Sequence, residues 1–269
     1  RWGYASWLFT SVRLLAEVSG QDRLPEELLD DAVACFRRWE EGFARGGAFM
    51  GGDGAGGFLS IDNCEGTEIS LGGYCGHKPL FSSAMWSEAK SISEVAASVG
   101  RADLARRFAE KAEAVRRSVL EKCWNADIGF FTTCTADGRK GTVRELHGYA
   151  PWYFGLPTDG RKPDWEQLVD PQGFAATYGL TFPERRAKGF ALDYTGHECK
   201  WNGPSWPFAT SVALTAFAND LHAQALNPSK PQTLKTSNTL FTFLLWQYAA
   251  AHRRTRDPSV EGDYTVVPW

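Results

Sequence analysis

Three carboxylates, Asp62, Glu65 and Glu68, fall within seven residues of a glycine-rich stretch, DNCEGTEISLGG at 62–73. Carboxyls packed this densely, outside any apolar period, suit proton transfer. A protonated one can donate to a departing oxygen, and the glycines let backbone approach a substrate closely. An exposed acidic turn or a helix cap would use the same residue types, so both readings stand at this level. A second cluster, CKWNGPSWPF at 199–208, sets Lys200, Trp201, Asn202 and Trp206 among a glycine and two prolines. The prolines and glycine fix the chain. The two indoles then offer flat apolar faces on which the C–H face of a sugar ring can stack, and Asn202 can both donate to and accept from hydroxyls. A tight turn whose tryptophans plug the core is the alternative.

Two further segments carry polar groups. In RELHGYAPWYF, 144–154, the adjacent Arg144 and Glu145 read as a structural ion pair, while Trp152 and Tyr153 are candidates to face a substrate. The tail DPSVEGDY, 257–264, brings Asp257, Glu261 and Asp263, from which a second carboxylate base could come; a frayed chain end is the competing reading. His77 and His197 lie beside these motifs and suit hydroxyl binding or simple space filling. The histidines show no HxxxH spacing, the cysteines no CxxC, and no Ser/His/Asp pattern stands out, so no metal site, cofactor or acyl-enzyme chemistry is expected.

The remaining sequence must position these groups. Apolar residues at three-to-four spacing predict amphipathic helices. Ala5, Leu8, Phe9, Val12, Leu15 and Ala16 line one, and Leu29, Val33, Phe36, Trp39 and Phe43 the next, a first helical hairpin. A second runs from Phe81 through Met85, Ile92 and Val99, turns at Gly100, and returns through Leu104, Phe108, Ala112, Val115 and Val119. A third runs from Trp206 to Leu221, breaks at Asn227-Pro228, and returns through Leu234 to Tyr248. Between the second and third, a small β-hairpin is expected near 129–143, and a short helix at Trp165–Leu168. In such an up-down array the short turns near 20, 100 and 227 share one rim and the long connections share the other. All four motifs lie in long connections, so one rim should hold Glu68, Trp152, Trp201, Trp206 and Glu261.

Composition sets outer limits. The 269 residues suit one large domain, 1–269, or a big piece of one, and the chain opens at Arg1 like a piece incomplete at one or both ends. A net charge of -3 with no basic stripe argues against nucleic acid, and no run of about 20 uncharged apolar residues predicts a membrane span. A soluble chain is expected, its compartment and oligomeric state open, with the cytoplasm favoured. The 11 tryptophans, many in Gly/Pro-rich segments, point to a carbohydrate partner.

These residues together carry a resemblance. EGTEISLGG (65–73), RELHGYAPWYF (144–154), DPQGFAATYGLT (170–181), KWNGPSWPFATSVALTAFAN (200–219) and Pro258–Glu261 resemble the six-hairpin glycosidases, particularly glycoside hydrolase family 63 and mannosylglycerate hydrolase-like domains. The resemblance implies an all-α fold, an (α/α)6 toroid of helical hairpins, here a partial one. It implies a glycosidase cleaving an α-linked sugar with inversion, an acid in the first motif and a base in a late loop. The family's Gly-x-Asp-x-Ser pattern falls on Gly66, Thr67, Glu68, Ile69 and Ser70, giving Glu68 as acid with Glu in place of Asp and leaving Asp62 and Glu65 as rivals. The Pro-x-x-Glu segment gives Glu261 as base. Asp62, Glu65, His77, Trp152, Tyr153, Lys200, Trp201, Asn202 and Trp206 are the substrate-binding candidates. Two rival functions remain: an epimerase or polysaccharide lyase on a similar toroid, with a base among His77, His147, Tyr149 and His197, or a non-catalytic glycan-binding remnant.

Overall fold

The computed structural model describes residues 7–21, 23–45, 48–60, 67–73, 75–177, 179–193, 199–226 and 231–251, with side chains excepted at 43–45, 48–49, 231–236 and 251. Among them are eight α-helices: α1 (Leu8–Ser19), α2 (Arg23–Glu27), α3 (Leu29–Glu41), α4 (Pro79–Ser98), α5 (Ala102–Ser118), α6 (Ala150–Tyr153), α7 (Pro207–Ala225) and α8 (Pro231–Ala251). Strands are short, yet they put Met50, Phe58, Phe130, Phe131 and Leu180 into the core. β1 (Phe43–Arg45), β2 (Ala48–Gly52) and β3 (Phe58–Ser60) form an antiparallel meander, and β4 (Trp124–Asn125) pairs with β5 (Phe130–Phe131), as β6 (Ala175–Ala176) does with β7 (Gly179–Leu180).

The second expected hairpin is the frame of the molecule. α5 buries Leu104, Phe108, Ala112 and Val115 on one stripe and turns Arg106, Arg107, Glu110 and Arg117 to water. α4 is buried on nearly every face because α1, α3, α5 and α6 all pack on it. Its small serines, Ser82, Ser83, Ser87 and Ser91, let those neighbours come close. Gly100 closes the turn at φ 76, with Arg101 N–H donating to Ala96 O (2.8 Å) and Gly100 N–H to Ala97 O (3.2 Å). That paired pattern satisfies the last carbonyls of α4. Aromatic rings lock the frame: Phe36 meets Phe108 and Phe58 edge-on (5.3 and 6.0 Å), and Phe81 meets Phe58 and Trp39 (5.4 and 5.6 Å).

The first pair differs from the expected hairpin. α2 intervenes, and α1 and α3 each dock on α4. A carboxylate from α4 explains the anchorage of α1. Trp7 has no side-chain oxygen to cap the helix, and Glu88 Oε1 instead accepts from Thr10 N–H (2.8 Å), with Ser87 Oγ beside Thr10 Oγ1 (3.1 Å). α7 and α8 pack together as expected, α7 lying also on α6. The small β-hairpin forms at 124–131, followed by a bridge between Cys134 and Lys140 about the Asp137-Gly138 turn, and Trp165–Leu168 is a 3-10 helix. The β1–β3 meander was not foreseen, because its strands fall in glycine-rich sequence without alternation. No described helix is long and apolar enough to cross a membrane.

Candidate active site

The long connections meet. Isolated bridges join Ser60 to Gly76, His77 to Cys134 and Glu145 to Pro183, and Phe182 N–H donates to Pro204 O (3.1 Å). This stitching delivers the first motif to the tryptophan motif: Trp201 N–H donates to Glu68 O (2.9 Å). The Cys199 thiol also donates to Glu68 Oε2 (2.8 Å). Burial and the adjoining Glu68 push that thiol up to about 11, so it stays protonated and acts as donor. Glu68 itself is partly exposed.

The turn that carries Glu68 is strained. Ser70 N–H closes it onto Thr67 O (3.2 Å), and Ile69 sits at φ 61. A left-handed conformation costs an L-residue about 1–2 kcal/mol, and a β-branched side chain there is a genuine outlier that surrounding structure must enforce. Several contacts enforce it. Buried Lys78 donates to Thr67 Oγ1 (3.1 Å), Trp201 holds Glu68 O, and Glu145 Oε1 accepts from both Ser70 Oγ (2.7 Å) and Gly72 N–H (2.8 Å).

Sequence reading missed the last of these. Arg144 and Glu145 do not pair with each other, as their adjacency suggested. Arg144 pairs with buried Glu184 (3.1 Å) and donates to Ile128 O (2.6 Å), while Glu145 turns to Ser70 in the turn that carries Glu68. The reason is the extended backbone at Glu145 (φ -128, ψ 149), which sends neighbouring side chains to opposite sides. Its surroundings push the Glu145 carboxyl above the usual carboxylate range, against the pull of the Gly72 and Ser70 hydrogen bonds and of the Lys78 cation.

The aromatic wall is continuous. Trp201 and Trp206 stack in parallel (4.2 Å, 3°), and Trp206 Nε1 donates to Lys200 O (2.8 Å). Trp201 is 6% exposed, whereas Trp206 is only partly buried. His147 and Phe182 back Trp201 (5.7 and 4.8 Å), and Phe208, which contacts His147 (5.7 Å), leads through Trp7 to Tyr153. Gly203 is fixed by close approach, since a Cβ there would lie 1.7 Å from Ala191 O. Asn202 receives Ala191 N–H on its carbonyl (3.1 Å).

The other candidates are placed as follows. Trp152 has its ring in the core against Phe131 (5.2 Å) and Trp165 (6.5 Å). His77 is buried, one ring nitrogen at Phe58 O (2.8 Å) and the other 3.8 Å from Asp53. Lys200 is buried and paired with Asp193. Asp62, Glu65, His197 and Glu261 lie outside the described residues.

A sequence model of the mannosylglycerate hydrolase MGH1-like glycoside hydrolase domains matches residues 2–265. The chain belongs to this family. As an MGH1-like glycoside hydrolase domain it is similar to a solved sialidase chain at 28% identity and TM-score 0.75, covering 93% of this chain and 22% of that one. It is also similar to an uncharacterised conserved protein from Thermus thermophilus, at 16% identity and TM-score 0.61, over 82% of this chain and 68% of that one. A GH63 mannosylglycerate hydrolase from the same organism, solved with glucose, matches at 17% identity and TM-score 0.61, over 87% of this chain and 66% of that chain. No curated protein sequence matches it. The helical pairs of the MGH1-like domain are thus those of an all-α glycosidase toroid, and its chain spans under a quarter of the sialidase's length.

Proposed function

We propose that this MGH1-like domain hydrolyses an α-linked sugar with inversion, Glu68 protonating the departing oxygen and Glu261 activating water from the opposite ring face. The observation that carries the reading is the Glu68–Trp201 junction: the motif fit for proton donation and the motif fit for sugar stacking share a hydrogen bond (2.9 Å) across 132 intervening residues. Packing alone explains indoles, but it does not explain a partly exposed carboxyl held by the thiol of Cys199, two positions before Trp201. Trp206, the more exposed of the pair, is the platform for a sugar face, with Asn202, Tyr153, Asp62 and Glu65 supplying further contacts. The two carboxyls of an inverting pair stand about 6.5–9.5 Å apart, leaving room for the water.

The lyase and epimerase readings need a neutral-to-basic proton acceptor. His147 is buried and its pKa is pushed down to about 3 by burial and Lys78, and Tyr149 is buried with its hydroxyl donating to Asp164 O (2.7 Å). Both are built into the core. The hydrolytic reading is tested by NMR of the sugar released from methyl α-mannoside, methyl α-glucoside and mannosylglycerate. A β-anomer appearing first supports it; an α-anomer demands a nucleophile and removes Glu261 as base, and an unsaturated or epimerised product removes hydrolysis altogether.

A further inference from the structure

The Thr67–Gly72 turn is fastened at both ends from distant segments, and the fastening at its far end is one side chain. Glu145 Oε1 takes Ser70 Oγ and Gly72 N–H together, at 2.7 and 2.8 Å. Gly72 admits the carboxyl: a methyl at that position would lie 2.5 Å from Glu145 Oε2. Nothing in the turn's own sequence selects its conformation, because the position at φ 61 holds isoleucine where glycine or asparagine would be relaxed. Glu145 itself lines a cavity of about 10 Å³ with Thr67, Lys78, Thr132 and His147. That volume suits one water and excludes a sugar ring, so the space on this side of Glu145 is not a sugar subsite.

We propose that Glu145 is the positioning residue of the acid step, holding the strained turn in the conformation that presents Glu68 while touching no reacting atom. The proposal rests on Glu68 being the general acid. Releasing Ser70 and Gly72 lets Ile69 relax toward negative φ, and a rotation there swings the peptide that carries Glu68. A displacement of about 1 Å at a reacting group lowers rates by about a hundredfold. The clamp needs an acceptor oxygen rather than a charge, so glutamine can replace the glutamate and alanine cannot.

The experiment compares Glu145→Ala, Glu145→Gln, Gly72→Ala and Glu68→Gln with the wild-type domain. Each is assayed on methyl α-glycosides, whose leaving group needs a proton, and on 2,4-dinitrophenyl α-glycosides, whose leaving group does not. E145A and G72A should lower kcat on the methyl glycosides by about 10–100-fold, with KM within about twofold and the dinitrophenyl rate near wild type. E145Q should recover to within about threefold of wild type. Hydrogen exchange at the Ser70–Gly72 amides needs no substrate and should rise about tenfold or more in E145A while α4 keeps its protection. Unchanged exchange in E145A overturns the clamp, as does wild-type kcat in both E145A and G72A when E68Q is inactive on methyl glycosides. Equal losses on both substrate types reduce Glu145 to a general structural role and overturn the proposal. Full activity of E68Q on methyl glycosides overturns the acid assignment instead, a result distinct from either.

Discussion

Two left-handed turns in this chain are built on opposite principles. Between α4 and α5 the turn residue at φ 76 is Gly100, which meets no strain, and its hydrogen bonds come from residues within five positions. In the Glu68 turn the residue at φ 61 is Ile69, and its fasteners are Lys78, Glu145 and Trp201, up to 132 residues distant. The helical frame is locally consistent and could form early from its own sequence. The rim conformation is imposed by its neighbours. Strain held by surrounding structure clusters at sites where a group must be presented rather than merely buried, and the contrast separates a turn fixed by its own sequence from one fixed by distant segments.

The largest expected effect divides the two regions by function. Glu68→Gln keeps the shape of the side chain and its Cys199 contact but removes the transferable proton, so kcat on unactivated glycosides should fall about 100- to 10,000-fold. Its melting temperature should stay near wild type. Phe81→Ala in the frame is the converse: with its ring 0% exposed between Trp39 and Phe58, truncation should cost about 3–5 kcal/mol of unfolding free energy in urea titrations. A folded Phe81 variant should retain its kcat at low temperature. Wild-type turnover in E68Q, or selective loss of catalysis in F81A, would dissolve the division.

His147 sits at the boundary, and pH sharpens its assignment. An unfolded histidine binds a proton below about pH 6.5, whereas the folded one, buried beside Lys78, does so only at about 3. Protons therefore favour the unfolded chain in that window, and stability is lost as pH falls through it. His147→Phe removes this group, so its stability relative to wild type should improve by about 1 kcal/mol per pH unit below 6.5. Urea unfolding at pH 7 and pH 5 reads the difference directly; a pH-independent difference would mean the ring is hydrated and part of the open site.

The smallest expected effects compare the two turns themselves. Gly100→Ala places a Cβ in a left-handed position and should destabilise by about 1 kcal/mol. Ile69→Gly removes the same penalty and should leave stability unchanged or raise it by up to about 1 kcal/mol. Chemical denaturation of both variants tests the pair. A marked loss of stability in I69G would show that the Ile69 side chain, rather than the clamp, holds the turn.

Much of this was legible along the chain. The stripe Leu104, Phe108, Ala112 and Val115, the Gly100 turn and the Trp201–Trp206 cluster all follow from periodicity or from the rigid residues around them, because helices and tight turns are fixed by neighbours within a few positions. The α1–α3 pairing was misread for a complementary reason: amphipathic stripes say which face is buried but not against what, and α4 claims both helices, using Glu88 to anchor α1. Adjacency likewise suggested an Arg144–Glu145 pair that extended backbone forbids. Which residue Arg144 meets, that Cys199 donates to Glu68 and that Glu145 fastens a turn 73–75 positions away were decided only by tertiary structure. Ion pairs along one helix follow its three-to-four spacing, but those between distant segments carry no sequence period, so their partners exist only once the long connections have been brought together on the helical frame.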